Sequence, residues 1–293
     1  MADPATRRGS TTARRRAASR SGRAARDRRR STRPDTGLFG PESVTWRVHR
    51  EHLMWVAGVR ALYLQALHPR VMRGTFQNSA LFDRDRAWGR FVRTTEFVAT
   101  RTYGTTAEVR RTSARVRAIH ASLTGYNPDT GETFRLDEPE GLLWVHCGEI
   151  DSYVDVARRA GILRSDEEAD QYVAESRRAA EVVGIRRSDA PASRAELTEY
   201  FERMRPKLYV TPEARRGVLN TFNPPFPLLL APLRLAVPSL NVLAFATLPA
   251  WARQLYGIPS PPATDLAVTL TLRALRPLTA LLPRPSVPPS TQP

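Results

Sequence analysis

Cysteine, lysine and long apolar runs are what this sequence has least of. One residue of 293 is cysteine, Cys147, which excludes an intramolecular disulfide framework and a Cys-rich structural zinc site. A reducing cytoplasm is therefore the expected compartment. One base of 45 is lysine, Lys207; the other 44 are arginines, a skew that reflects GC-rich coding more than separate functional choices. The most apolar segment, 224–250, runs without a charge from Leu235 to Ala250, 16 residues that include two prolines. That falls short of the ~20 apolar residues a membrane-spanning helix needs. Buried helices, or an apolar lip in peripheral contact with lipid, fit this segment better. The chain also lacks HExxH, a Cys/His cluster, a Gly-rich phosphate loop and a GxSxG elbow, so the common hydrolase and nucleotide readings have no support.

What is present is basic and helical. The formal charge is +16, but residues 1–33 hold twelve arginines and two aspartates, a net +10, which leaves +6 for the remainder. The first 36 residues carry no large apolar side chain after Met1 and read as a solvated, disordered Arg-rich tail. Contact with nucleic acid or another polyanion is the lesser reading of that arm, and targeting a further one. Residues 37–260 read as one all-α domain of about six to nine helices. Residues 261–293 read as a Pro-rich tail with one short amphipathic helix near 265–282.

Helix starts are marked by Ser, Thr or Asp followed three residues later by Glu. Thr105/Glu108, Asp137/Glu140, Ser165/Glu168 and Ser193/Glu196 have this form, each before apolar residues at spacings of three and four. Segment 44–68 predicts a further helix ended by Pro69, and 84–103 another stopped at Gly104. No alternating strand of convincing length stands out, so 125–138 is expected to be the longest polar loop.

Five histidines are the candidate ligands: His49, His52, His68, His120 and His146. His49 and His52 sit among Arg47, Arg50 and Glu51 and read as solvated; His68, before Pro69, is expected to bond backbone at a helix end. His120 follows Val116 by four residues, and His146 lies four after Leu142 and four before Ile150, so both read as inward-facing. If their helices pack antiparallel, the two imidazoles face one internal space. Inward imidazoles in an apolar bundle suit haem, with arginines available for propionates, although hydrogen-bonded core histidines are the plainer alternative. Arg90 and Thr94, one turn apart, either share an interior partner or face solvent. Cys147 reads as a small core residue, and Asp151 and Ser152 as residues that orient helix contacts.

Four ordered blocks give a more specific pointer: ALYLQALHP (Ala61–Pro69), GRFVRTTEF through TYG (Gly89–Gly104), VRAIHASLTG (Val116–Gly125) and LLWVHCGEIDS (Leu142–Ser152). With LPAWARQLYGIP (Leu248–Pro259), they resemble the bacterial and fungal family that includes the rubber oxygenases and the MpaB-type oxygenases. The resemblance implies an all-α, globin-like fold, haem b, dioxygen as co-substrate and a hydrophobic terpenoid, isoprenoid or lipid as substrate. It implies His120 as the proximal iron ligand, and Arg90, Arg93, Thr94 and Arg117 as residues near the haem. His146, from a block typical of bacterial members, is expected in the distal pocket or as a second axial ligand. Catalytic roles fall by the same resemblance on Arg90, Arg93, Thr94 and His146. The alternatives are a bis-histidine haem protein for electron transfer or sensing, and a helical scaffold with a polyanion-binding arm.

Overall fold

The computed structural model describes residues 35–83, 86–221, 237–258 and 261–283. The Arg-rich arm before Asp35, residues 222–236 with the first part of the apolar segment, and the Pro-rich end after Pro283 lie outside the described residues, as do the expectations placed on them. Among the described residues the chain forms twelve α-helices and one two-stranded hairpin. It is an all-α fold.

The helices are α1 (Val44–His49), α2 (Met54–Gln65), α3 (Pro69–Asn78), α4 (Ala87–Tyr103) and α5 (Thr106–Ser122). After the hairpin of β1 (Thr124–Asn127) and β2 (Glu132–Arg135) come α6 (Pro139–Arg159), α7 (Asp166–Val182) and α8 (Arg194–Met204). The chain then adds α9 (Pro212–Thr221), α10 (Val237–Ala246), α11 (Ala250–Leu255) and α12 (Thr264–Thr279).

The centre of the molecule is α6. Trp144, Cys147, Ile150, Val154 and Ala157 recur at steps of three and four, forming one apolar stripe, and all are buried. That stripe packs on α2, whose Met54, Ala57, Ala61 and Leu64 repeat the same spacing; α7 and α12 cover other sides. The Trp144 indole N–H donates to the Gln65 carbonyl at 3.0 Å, so the largest core side chain also fixes the register between α2 and α6. Arg60 is a second clamp. It is buried on α2 and donates to Ser152 Oγ (2.7 Å) and the Thr247 carbonyl (3.1 Å), and pairs with Asp151 (2.8 Å). Asp151 and Ser152 thus act as helix-orienting residues.

Three of the four helix-start signals are used as read. Thr105 and Glu108 form a full capping box, and Ser165 and Ser193 each accept from the N–H of the glutamate three residues on. The fourth is different. Pro139 occupies the first turn of α6, Glu138 is its N-cap, and Asp137 pairs with Arg135 instead.

Three elements depart from the sequence expectation. Segment 44–68 is broken at 50–53 into α1 and α2, with Glu51 drawn to Arg276 (3.0 Å) and His52 to the Pro283 carbonyl (2.9 Å). Residues 124–135 form a hairpin, with Gly131 at φ +72° closing the connection and the Asp129 N–H bonding the Asn127 side chain. Helix α12 is not part of a separate tail, since Val268 and Leu272 enter the same core as α2 and α6.

Candidate functional site

Residues from α4, α5 and the approach to α6 meet around one histidine. His120, in the last turn of α5, is half-buried. Burial, and next the Arg90 charge, lower its pKa, with Asp137 acting weakly the other way. The imidazole is therefore neutral at pH 7, the form that presents a lone pair to a metal. Arg90 on α4 is itself half-buried, with its pKa lowered by burial and by Arg93. Its guanidinium donates to Thr94 Oγ1, and the Thr94 hydroxyl donates back to the Arg90 carbonyl at 3.0 Å. Arg90 and Thr94 thus act as a unit, one turn apart. Arg93 and Thr94 are exposed.

Apolar side chains around this group are left uncovered. Trp55 on α2 is 49% exposed and Ile119, beside His120, is 47% exposed. Trp55 meets the Phe91 ring of α4 at 5.9 Å, and Gln65 of α2 donates to the Val145 carbonyl of α6 at 2.9 Å. Leu62 and Val145 are likewise exposed, and a side chain added at Gly58 would meet nothing within 4 Å. Trp55, Gly58 and Leu62 fall on one side of α2, and Trp55, at one end of that side, meets Phe91, the residue after Arg90. Neutral imidazole, a half-buried arginine and uncovered apolar walls are a donor set that fits haem: nitrogen for iron, guanidinium for carboxylate, hydrocarbon for the porphyrin.

His146 belongs to a different setting. It is buried on α6, and desolvation lowers its pKa to about 4, with Glu149 and Arg101 as its charged neighbours. Arg101 of α4 and Glu149 form a two-pronged ion pair; the longer contact is 3.1 Å. The same pair acts on His49, which stacks on Tyr153 with centroids 4.4 Å apart and bonds the Tyr172 hydroxyl at 3.0 Å. His49 is thus half-buried and bonded, not solvated, and desolvation lowers its pKa to about 3.

The expected convergence of His120 and His146 depends on α5 packing antiparallel to α6. Instead the hairpin separates them along the chain; α5 packs chiefly on α4 and α7, and α6 on α2, α7 and α12. Each imidazole also has a carboxylate among its neighbours, Asp137 for His120 and Glu149 for His146. Arg117 reaches away from both, donating to the Val182 carbonyl at 2.5 Å, where it caps the end of α7. His68 is the N-cap of α3: its Nδ1 accepts from the Val71 N–H and its Nε2 faces Glu140 at 3.4 Å. Cys147 is buried and inert, its thiol pKa pushed up by burial.

Two concavities lie elsewhere. One of about 360 Å³ is walled by Leu143, Ile185, Tyr200 and Met204, and one of about 180 Å³ lies between Thr100, Gly104 and Arg111. Neither borders His120 or His146. Among the described residues, no three His, Cys, Asp or Glu side chains gather as a metal site. Sequence reading missed the Arg101–Glu149 pair and Arg60. A charged residue inside an apolar helix period is the signal that could have found them, since such a residue must bring its partner with it.

Fold and site together describe an all-helical protein with a neutral histidine and a half-buried arginine beside an uncovered apolar face. Residues 46–280 match the model of the ER-bound oxygenase mpaB/B′ and rubber oxygenase catalytic domain, and the chain belongs to that family. It is an oxygenase-family domain, for which dioxygen and a substrate are the implied partners. No curated protein and no solved structure matches the chain.

Proposed function

We propose that this protein is a haem b-dependent oxygenase that uses dioxygen to cleave a carbon–carbon double bond of a hydrophobic terpenoid, isoprenoid or lipid. The observation that carries the reading is His120, held neutral in the last turn of α5 beside Arg90 and an uncovered apolar face. His120 is the proposed iron ligand, and Arg90, alone or with Arg93, the partner of a haem carboxylate or of a polar atom on the reacting side. Haem, when bound, supplies the iron site at which dioxygen is activated.

The residues of the chain do the rest. Thr94 fixes Arg90 by the reciprocal bonds across one helical turn, so the guanidinium is oriented before any ligand arrives. The faces bearing Trp55, Leu62 and Ile119 bind hydrocarbon and keep water from the reacting bond. One dioxygen and one double bond give two carbonyl groups, so no external proton or reductant enters the net reaction. His146, with its charged neighbours Glu149 and Arg101, supports the helix scaffold in this reading, and a bis-histidine iron is the less supported alternative.

The test is product analysis. The purified protein, supplied with haem, is incubated with an isoprenoid alkene under isotopically labelled dioxygen. Labelled carbonyl products that Arg90→Ala reduces at least about ten-fold support the reading. Unlabelled carbonyl products, or turnover indifferent to Arg90, would count against it.

A further inference from the structure

The last helix of the described chain is apolar on both sides. One side of α12 carries Val268 and Leu272, which are buried in the main core. The other carries Leu266, Leu270 and Leu278, of which Leu266 is 64% and Leu278 62% exposed, and Leu281, 83% exposed, follows just past the helix end. Steps of four place the three helical leucines, with the exposed Ala274, along one side of the helix. A continuous exposed apolar face marks an interaction surface.

We propose that this face of α12 docks in the plane of an anionic lipid surface. Charge selects that occupant. Asp265 is the last acid in the chain, and it is paired with Arg159 at 3.1 Å; beyond it come Arg273, Arg276 and Arg284. Arg276 bonds the Gly161 carbonyl and Glu51, and Arg273 Nε bonds the Arg159 carbonyl, so both basic side chains lie toward the protein body and flank the leucines. The first 33 residues add a net +10, the sum of twelve arginines and two aspartates. An apolar helix face in a chain that also carries a polybasic segment is the two-signal combination that holds a protein on anionic lipid. A second copy is disfavoured by the +16 that each chain would bring. The apolar side from Leu266 to Leu278 is about 18 Å long at 1.5 Å per residue, and no described helix is long and apolar enough to cross a membrane. The contact is therefore in-plane. It needs neither haem nor turnover, so it stands or falls separately from the oxygenase reading.

The test is co-sedimentation of the full-length protein with vesicles of phosphatidylcholine alone and of phosphatidylcholine with phosphatidylglycerol. The wild type is expected on the anionic vesicles. The combined Leu266→Ser, Leu270→Ser and Leu278→Ser variant is expected to lower the bound fraction about ten-fold, with an unchanged melting temperature. Leu281→Ser alone, at the most exposed position, should move it in the same direction without risk to the core. Four results would overturn the proposal. They are no wild-type binding; variant binding equal to wild type and abolished by salt, which assigns attachment to the Arg-rich segment alone; a lipid-free dimer that the substitutions convert to monomer; or a lower melting temperature with vesicle binding unchanged, which would mean that the chain covers this face itself.

Discussion

Single residues in this protein carry charge into places where apolar packing dominates. Arg101 and Glu149 are the clearest instance, with side chains 7% and 15% exposed and a two-pronged contact between α4 and α6. Removing one partner strands the other in low dielectric. Glu149→Leu is therefore expected to lower unfolding stability by about 3–5 kcal/mol in urea titrations. The Arg101→Leu, Glu149→Leu double variant should recover part of that loss, because no orphaned charge then remains. Equal losses in the single and double variants would mean that the pair matters through packing alone.

The histidines near that pair set the response to pH. Folding lowers His49 to about 3 and His146 to about 4, against ~6.5 for an unfolded histidine. Below pH ~6.5 the unfolded chain takes up protons that the folded chain refuses, so stability is full above that pH and falls as acid is added. Each histidine contributes up to ~1.4 kcal/mol per pH unit until its folded pKa is reached. His68 and His120, also lowered, act in the same direction. Urea midpoints measured from about pH 7.5 down to about pH 5 should show this decline, and His146→Gln should make it shallower. A slope unchanged by His146→Gln would contradict the assignment.

Elements show which parts of the fold the sequence declares. The capping box at Thr105 was legible because both of its bonds are local, and Thr105→Ala is expected to cost about 1 kcal/mol in thermal or urea unfolding. The break between α1 and α2 was not legible. No glycine or proline marks 50–53, and the chain turns there while Glu51 reaches Arg276, 225 residues on. The hairpin was hidden for another reason. Its strands have four residues each, and its inward positions are Gly125, Asn127 and Phe134, which make no apolar alternation. Gly125 is there because a Cβ would stand 2.5 Å from the Phe134 ring. Gly125→Ala is accordingly expected to destabilise by about 1–3 kcal/mol, measurable as a lower urea midpoint. Within the site, the helical period found the half-buried side of α5 and His120 on it. It could not find Arg117's turn toward α7, since a long side chain chooses between helix ends that only tertiary packing brings near.

At the scale of the whole molecule, α6 and α2 form a packed axis clamped by Arg60 and Trp144, while α5 pairs with α4 and α7. The candidate site joins Arg90 to His120, with the exposed Trp55 against the Phe91 ring and the exposed Ile119 next to His120 in the chain. Family membership over residues 46–280 states that the chain is an oxygenase-family domain; the exposed apolar side chains and the neutral imidazole are the observations on which the haem proposal rests. The proposal that His120 holds haem iron is tested most directly by the visible absorption spectrum of haem-supplied wild type and His120→Ala, each ferric, reduced and reduced with carbon monoxide. The expected result is a Soret band in wild type that shifts with carbon monoxide and is lost in the variant, with circular dichroism unchanged. A wild type without a Soret band, or a variant that keeps the same band, would contradict it.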